Sequence, residues 1–241
     1  MKGRCKSAWH LDAGGLETTA MNVWEVVDNA ATVDGDDLTL SRLHDEWQVH
    51  TGPELLMSSA EHHSEEALAT LAIKKAGSVK RVLVGGLGMG FTLRAALDQL
   101  PSTSEVVLAE TSTALVRWNR SFLAYLAGTP LEDPRVRLQL GDVGDRIADA
   151  DADYDVILLD VDNGPDALVH TSNERLYGLE GTRAALRALR PGGVLAVWAR
   201  WPDDGYVQRL REGGFEAEAV IIPPPIEDLP NHTVFLARRS G

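Results

Sequence analysis

The sequence predicts an α/β fold: a doubly wound, Rossmann-like sheet of about seven strands behind a small N-terminal antiparallel β region. Three observations carry that reading. From Arg81 onward, short apolar runs of strand length alternate with segments of helical periodicity, the pattern of a parallel sheet covered on both faces. The last two apolar runs, 215–221 and 232–237, follow one another with no helix between them, so one strand at the end is antiparallel. Ahead of the alternation, short strand-like runs are punctuated by Asp34-Gly35-Asp36-Asp37 and by His44-Asp45.

Taken in order, residues 1–20 carry Lys2, Arg4 and Lys6 with no apolar stretch after them, and read as a loose tail rather than a signal peptide. A small β region over 21–60 follows, with strands at 23–28, 38–43 and 46–50 and a further one around Leu55-Leu56-Met57. The main domain is expected over 61–241. It opens with a helix from Ser64 to Ala76, with acids in the first turn and Leu68, Leu71 and Ala72 at helical spacing. Strands are then expected at 82–84, 106–108, 136–140, 154–159 and 194–198. Helices are expected at 89–100, 113–126, 143–149, 179–189 and 203–213. Pro191-Gly192-Gly193 and Gly213-Gly214 supply stops for the last two.

Composition narrows the function. The chain has 241 residues and a net charge of −13, from 23 Lys plus Arg against 36 Asp plus Glu. Phosphate neutralisation needs clustered Lys and Arg, so nucleic acid is not an expected partner. No apolar run approaches the ~20 residues of a membrane span. Cys5 is the single cysteine, which rules out an intrachain disulfide and a cysteine-based zinc site and fits a reducing cytoplasm.

The strongest local signal is Gly86-Leu87-Gly88-Met89-Gly90, between a strand and a helix. Glycines there let the backbone turn tightly and approach a ligand, and the helix start offers free N–H groups. The spacing departs from Gly-x-Gly-x-x-Gly, which disfavours nicotinamide dinucleotides. Glu110 ends the next strand, where a carboxylate can accept both hydroxyl hydrogens of a ribose. Asp142 ends the third, in Gly141-Asp142-Val143, where it can accept from an adenine amino group or cap helix 143–149. Gly86, Gly88, Gly90, Glu110, Asp142 and Val143 together read as a nucleoside site at successive strand ends.

The stretch from about 81 to 237 resembles the class I S-adenosylmethionine-dependent methyltransferase fold, and more narrowly the spermidine synthase (polyamine aminopropyltransferase) family. The resemblance rests on Gly86 to Arg94, on Asp133-Pro134-Arg135-Val136 followed by Gly141-Asp142, on Tyr154-Asp155-Val156-Ile157-Leu158-Leu159-Asp160, and on Leu189-Arg190-Pro191-Gly192-Gly193. The short leading strands match that family's small β-domain. The resemblance implies transfer of an aminopropyl group from decarboxylated S-adenosylmethionine to an amine. It makes Asp160 the catalytic carboxylate that helps take the proton from the attacking nitrogen. No metal is required, because a sulfonium already leaves well. A homodimer is a further implication.

Three departures bear on the amine half of the site. Met89 stands where the family usually has an aspartate. Asp160-Val161-Asp162-Asn163-Gly164 replaces Asp-Ser-Ser-Asp-Pro, leaving Asp162 as a second carboxylate for a cationic substrate or as part of a turn. The family's Tyr-His-Glu segment is echoed by His63-Ser64-Glu65, which makes Glu65 a substrate-binding candidate. The neighbouring Glu61-His62-His63-Ser64-Glu65-Glu66 reads as a solvated helix start rather than a metal site. Trp201 could wall the acceptor pocket, and Pro223-Pro224-Pro225 reads as a rigid connector. Two alternatives stand beside aminopropyl transfer: a methyltransferase using intact S-adenosylmethionine on a small molecule, and a non-catalytic nucleoside-binding protein.

Overall fold

The computed structural model describes residues 23–31, 35, 37–161, 164–165, 174–225 and 230–241. The expected tail at 1–20 and the candidate Asp162 lie outside them. Four strands, β1 (Glu25–Ala31), β2 (Asp37–Leu43), β3 (Glu46–Thr51) and β4 (Glu54–Ser58), form an antiparallel sheet in sequential order. Leu38, Leu40, Trp47 and Val49 alternate inward and pack on Met89, Leu115 and Trp118. The small sheet therefore sits over the glycine loop.

The main body runs α1 (His63–Ala76), β5 (Arg81–Gly85), α2 (Phe91–Gln99), β6 (Glu105–Glu110), α3 (Thr113–Asn119), β7 (Val136–Leu140), α4 (Val143–Asp149), β8 (Tyr154–Leu159), α5 (Glu174–Tyr177), α6 (Leu179–Ala188), β9 (Leu189–Ala199), α7 (Asp204–Glu212), β10 (Phe215–Ile222) and β11 (His232–Arg239). The seven-stranded sheet has the order β10-β11-β9-β8-β5-β6-β7. Strands β5 to β9 pair in parallel, and β11 is antiparallel to both β9 and β10. The strands are Val- and Leu-rich on both sides because both faces are covered. Val82, Val84, Leu108, Leu158 and Ala196 meet α1 and α2 on one face. Leu83, Val107, Ile157, Leu195 and Phe235 meet the α4, α6 and α7 side on the other.

Several boundaries differ from the sequence reading, three of them with a clear physical cause. Helix α2 starts at Phe91 rather than 89, because Gly90, at φ +91°, caps it in the left-handed region and leaves Met89 in the turn. Helix α3 stops at Asn119 rather than 126. The Asn119 side chain donates to the carbonyls of Leu115 and Gly88, at 2.9 and 2.8 Å, and the chain continues as turns with Leu123 N–H on Trp118 O. Strand β9 begins at Leu189, ahead of Pro191, with a register shift against β8 that accommodates the Pro-Gly-Gly segment.

Candidate active site

The carboxyl ends of β5, β6, β7, β8 and β9 share one edge of the sheet, where ligands of open α/β folds bind. Gly86 shows why the first of these ends must be glycine. Its φ is +88°, and a Cβ there would lie 2.1 Å from the carbonyl oxygen of Asp160. The loop is thus pressed against the end of β8, with Asp160 N–H donating to Gly85 O at 2.9 Å.

Glu110 is buried and aimed at this loop. One carboxylate oxygen accepts from Leu87 N–H at 2.8 Å and the other from Ser112 N–H at 2.6 Å. Burial pushes its pKa up, and the backbone donors of Ser112 and Leu87 pull against that shift. The backbone N–H and hydroxyl of Thr111 add to these contacts, so a ribose diol would have to share the acceptor capacity of the carboxylate. Asp142 caps α4 through Gly144 N–H at 2.6 Å and pairs with Arg175 at 2.7 Å. Its capping role is therefore real, and any adenine contact is additional to it. Val143 places its side chain in the core, where its methyl groups fill the space that a Cβ on Gly85 would need. Only its main chain is left to face a ligand.

At the end of β8, Asp160 accepts from Thr92 Oγ1 at 2.6 Å. Helix α1 brings Glu65 close enough for the two carboxylates to interact. Desolvation raises Asp160 to about 6. Desolvation, and then the charge of Asp160, raise Glu65 to about 7. Both shifts run in one direction: burial, and for Glu65 the nearby charge of Asp160, favours the protonated form of each acid. Glu65 is oriented by Ser64 Oγ–H at 2.6 Å, and Ser64 accepts from the Trp198 indole N–H at 3.0 Å. The structure thus joins Asp160 and Glu65 in one place and the glycine loop with Glu110 in another, side by side on the same edge.

Comparison with known proteins agrees with this fold. A spermine/spermidine synthase domain model matches residues 61–203, more than half of the chain. The chain belongs to the spermine/spermidine synthase family. Putrescine N-methyltransferase 2 of Nicotiana attenuata is 33% identical over 158 residues, covering 61% of this chain and 40% of that protein. A polyamine aminopropyltransferase of Nitrosomonas europaea is 34% identical over 128 residues, covering 52% and 37%. The chain therefore spans about two fifths of the length of these relatives. The crystal structure of spermidine synthase from Thermotoga maritima superposes with a TM-score of 0.74 at 18% identity, over 89% of this chain and 73% of that one. A spermidine synthase in complex with the transition-state analogue AdoDATO gives 0.72, over 89% and 72%.

Within this spermine/spermidine synthase domain, several family motifs are structural braces. Arg135 forks onto both oxygens of Asp133, at 2.9 and 2.7 Å, and donates to the carbonyls of Leu97 and Leu100 that end α2. That pairing holds Asp133 down at about 2. Asp155 gathers the N–H groups of Lys80 and Arg81 and the Arg190 guanidinium, fixing β5 and β9 against β8. Met89, in the place of the family's aspartate, is buried against the N-terminal sheet. His62 and Glu66 form an i,i+4 pair at 2.8 Å. Sequence reasoning missed Thr92, Ser64 and Trp198. Their roles arise only when α1, α2 and β9 meet, and no spacing rule announces them.

Proposed function

We propose that this chain is a transferase that moves an aminopropyl group from decarboxylated S-adenosylmethionine to the nitrogen of a small amine. The observation that supports it most is the Asp160–Glu65 pair beside the glycine loop. An ammonium has no lone pair, so the acceptor must first give up a proton, and Asp160 with its raised pKa is a base matched to neutral pH. The nitrogen then forms a bond to the carbon next to sulfur. The C–S bond breaks with its electron pair going to sulfur, leaving a neutral thioether nucleoside and a new secondary ammonium. Thr92 fixes the carboxylate, Glu65 favours the cation's approach, and the loop with Glu110 holds the ribose. Gly86, Gly88, Gly90, Asp142 and the main chain of Val143 complete the nucleoside site. Action in the cytoplasm, without a metal and as a homodimer, belongs to the same proposal. No helix of the described residues is long and apolar enough to cross a membrane.

Methyl transfer from intact S-adenosylmethionine is the second reading, favoured by the likeness to putrescine N-methyltransferase 2 of Nicotiana attenuata. Incubating the protein with each donor and a mixture of amines, followed by mass analysis, separates the two. Added aminopropyl supports the first reading, added methyl supports the second, and neither product sinks both.

A further inference from the structure

The first turn of α1 carries a hydroxyl whose direction is set by another element. Ser64 is 2% exposed, and its oxygen sits between two groups. It accepts from the Trp198 indole N–H of β9 at 3.0 Å and donates to Oε2 of Glu65 at 2.6 Å. An indole nitrogen only donates, so Ser64 cannot turn its hydrogen toward Trp198. While the Trp198 bond holds, Ser64 is a donor toward Glu65, and a proton on that carboxyl has to sit on Oε1. Glu65 also accepts from its own backbone N–H. Hydrogen bonds given to a carboxylate favour its charged form. Here they oppose burial and the charge of Asp160, which favour the protonated one.

A cationic amine needs a charged carboxylate to meet it, and a protonated Glu65 offers none. Trp198 is itself held: its backbone pairs with Val234 of β11, and its ring lies 5.0 Å from that of His232. We propose that Ser64 and Trp198 are positioning residues of the acceptor site. Trp198 locks the Ser64 hydroxyl as a donor, and that hydroxyl holds Glu65 in place and in the charged form that the amine requires. The proposal rests on the transferase reading only for what the charged Glu65 receives. The titratable groups at this end of α1 are His63 and Glu66 on the helix itself, Asp160 after β8, Arg200 after β9, His232 in β11 and Arg94 in α2. Removing the hydroxyl or the indole N–H leaves all of them in place, so a change in Glu65 reports the relay.

The test follows Glu65 itself, by carbon-13 NMR of the full chain labelled at glutamate carboxyl carbons, with the Glu65 signal assigned by its loss in Glu65→Gln. Ser64→Ala should raise the Glu65 titration midpoint by about one pH unit, the worth of one hydrogen bond to a charged group. Trp198→Phe keeps an aromatic ring in the core but frees the hydroxyl to accept from a protonated Glu65, so it should raise the midpoint by roughly half as much. The acidic limb of the pH profile of kcat/KM for 1,4-diaminobutane should move the same way, with a loss of roughly fivefold at pH 7 in Ser64→Ala. In a Glu65→Gln background, Ser64→Ala should move that limb no further. An unmoved or lowered Glu65 midpoint in Ser64→Ala overturns the proposal, even where the thermal midpoint falls, because that is the mark of packing alone. A wild-type midpoint in Trp198→Phe overturns the relay. Raised midpoints in a protein that transfers nothing from either donor would count against the transferase reading and leave the relay standing.

Discussion

Replacing Glu65 by Gln should flatten the pH dependence of stability in a way that reports the acid pair directly. In the folded chain Glu65 titrates near 7 and Asp160 near 6, against ordinary values of 4.5 and 3.8. A carboxyl with a raised folded pKa binds its proton more tightly in the folded state. Its stabilising contribution is complete below the unfolded pKa and is lost as pH rises through the folded one. For Glu65 the window therefore runs from about 4.5 to about 7, and stability falls across it. The full shift would correspond to a ceiling of about 3 kcal/mol, and solvent reaching the half-buried pair reduces it to roughly 1–2 kcal/mol. Urea unfolding at pH 5, 6, 7 and 8 measures this. The wild type should lose roughly 1–2 kcal/mol more than Glu65→Gln between pH 5 and 8. Parallel curves would show that Glu65 is not held beside Asp160, and the assembly of the acceptor site would be wrong.

Gly86→Ala should destabilise by roughly 2–4 kcal/mol and abolish transfer, since the left-handed backbone and the approach to Asp160 O both exclude a Cβ. Circular-dichroism melting and the transfer assay read the two effects. Glu110→Ala should weaken binding of the thioether nucleoside by about 1.5–3 kcal/mol, roughly ten- to a hundredfold, by calorimetry; equal affinities would remove Glu110 from the ribose site. Met89→Asp would bury a carboxylate among Leu40, Trp47, Leu115 and Trp118, so its main effect should be a loss of about 2–4 kcal/mol in stability. A stable variant with a tenfold altered donor ratio would instead place residue 89 at the donor tail. Arg135→Lys should cost roughly 1–3 kcal/mol with nucleoside affinity unchanged, because an ammonium cannot fork onto Asp133 and reach Leu97 and Leu100 together.

The doubly wound sheet of about seven strands and its antiparallel end were legible because alternation, strand length and the missing last helix are all local signals. The ends of α2 and α3 were not, because Gly90 and Asn119 act through conformation and side-chain bonding that periodicity does not report. The positions of Glu110 and Asp142 at strand ends could be read from the sequence; the burial of the Val143 side chain in the adjacent core could not. Glu65 was legible only through the family echo. Its meeting with Asp160 depends on how α1 crosses the sheet, and so does the bond between Trp198 and Ser64.

The most direct test of the account is Asp160→Asn, which keeps the shape and the Thr92 hydrogen bond but removes the base. Single-turnover transfer to the amine should fall by roughly 10²–10⁴ while the thioether nucleoside binds as it does to the wild type. Transfer at an undiminished rate would contradict the assignment of Asp160 as the proton acceptor, and with it the central claim that this sheet edge performs amine alkylation.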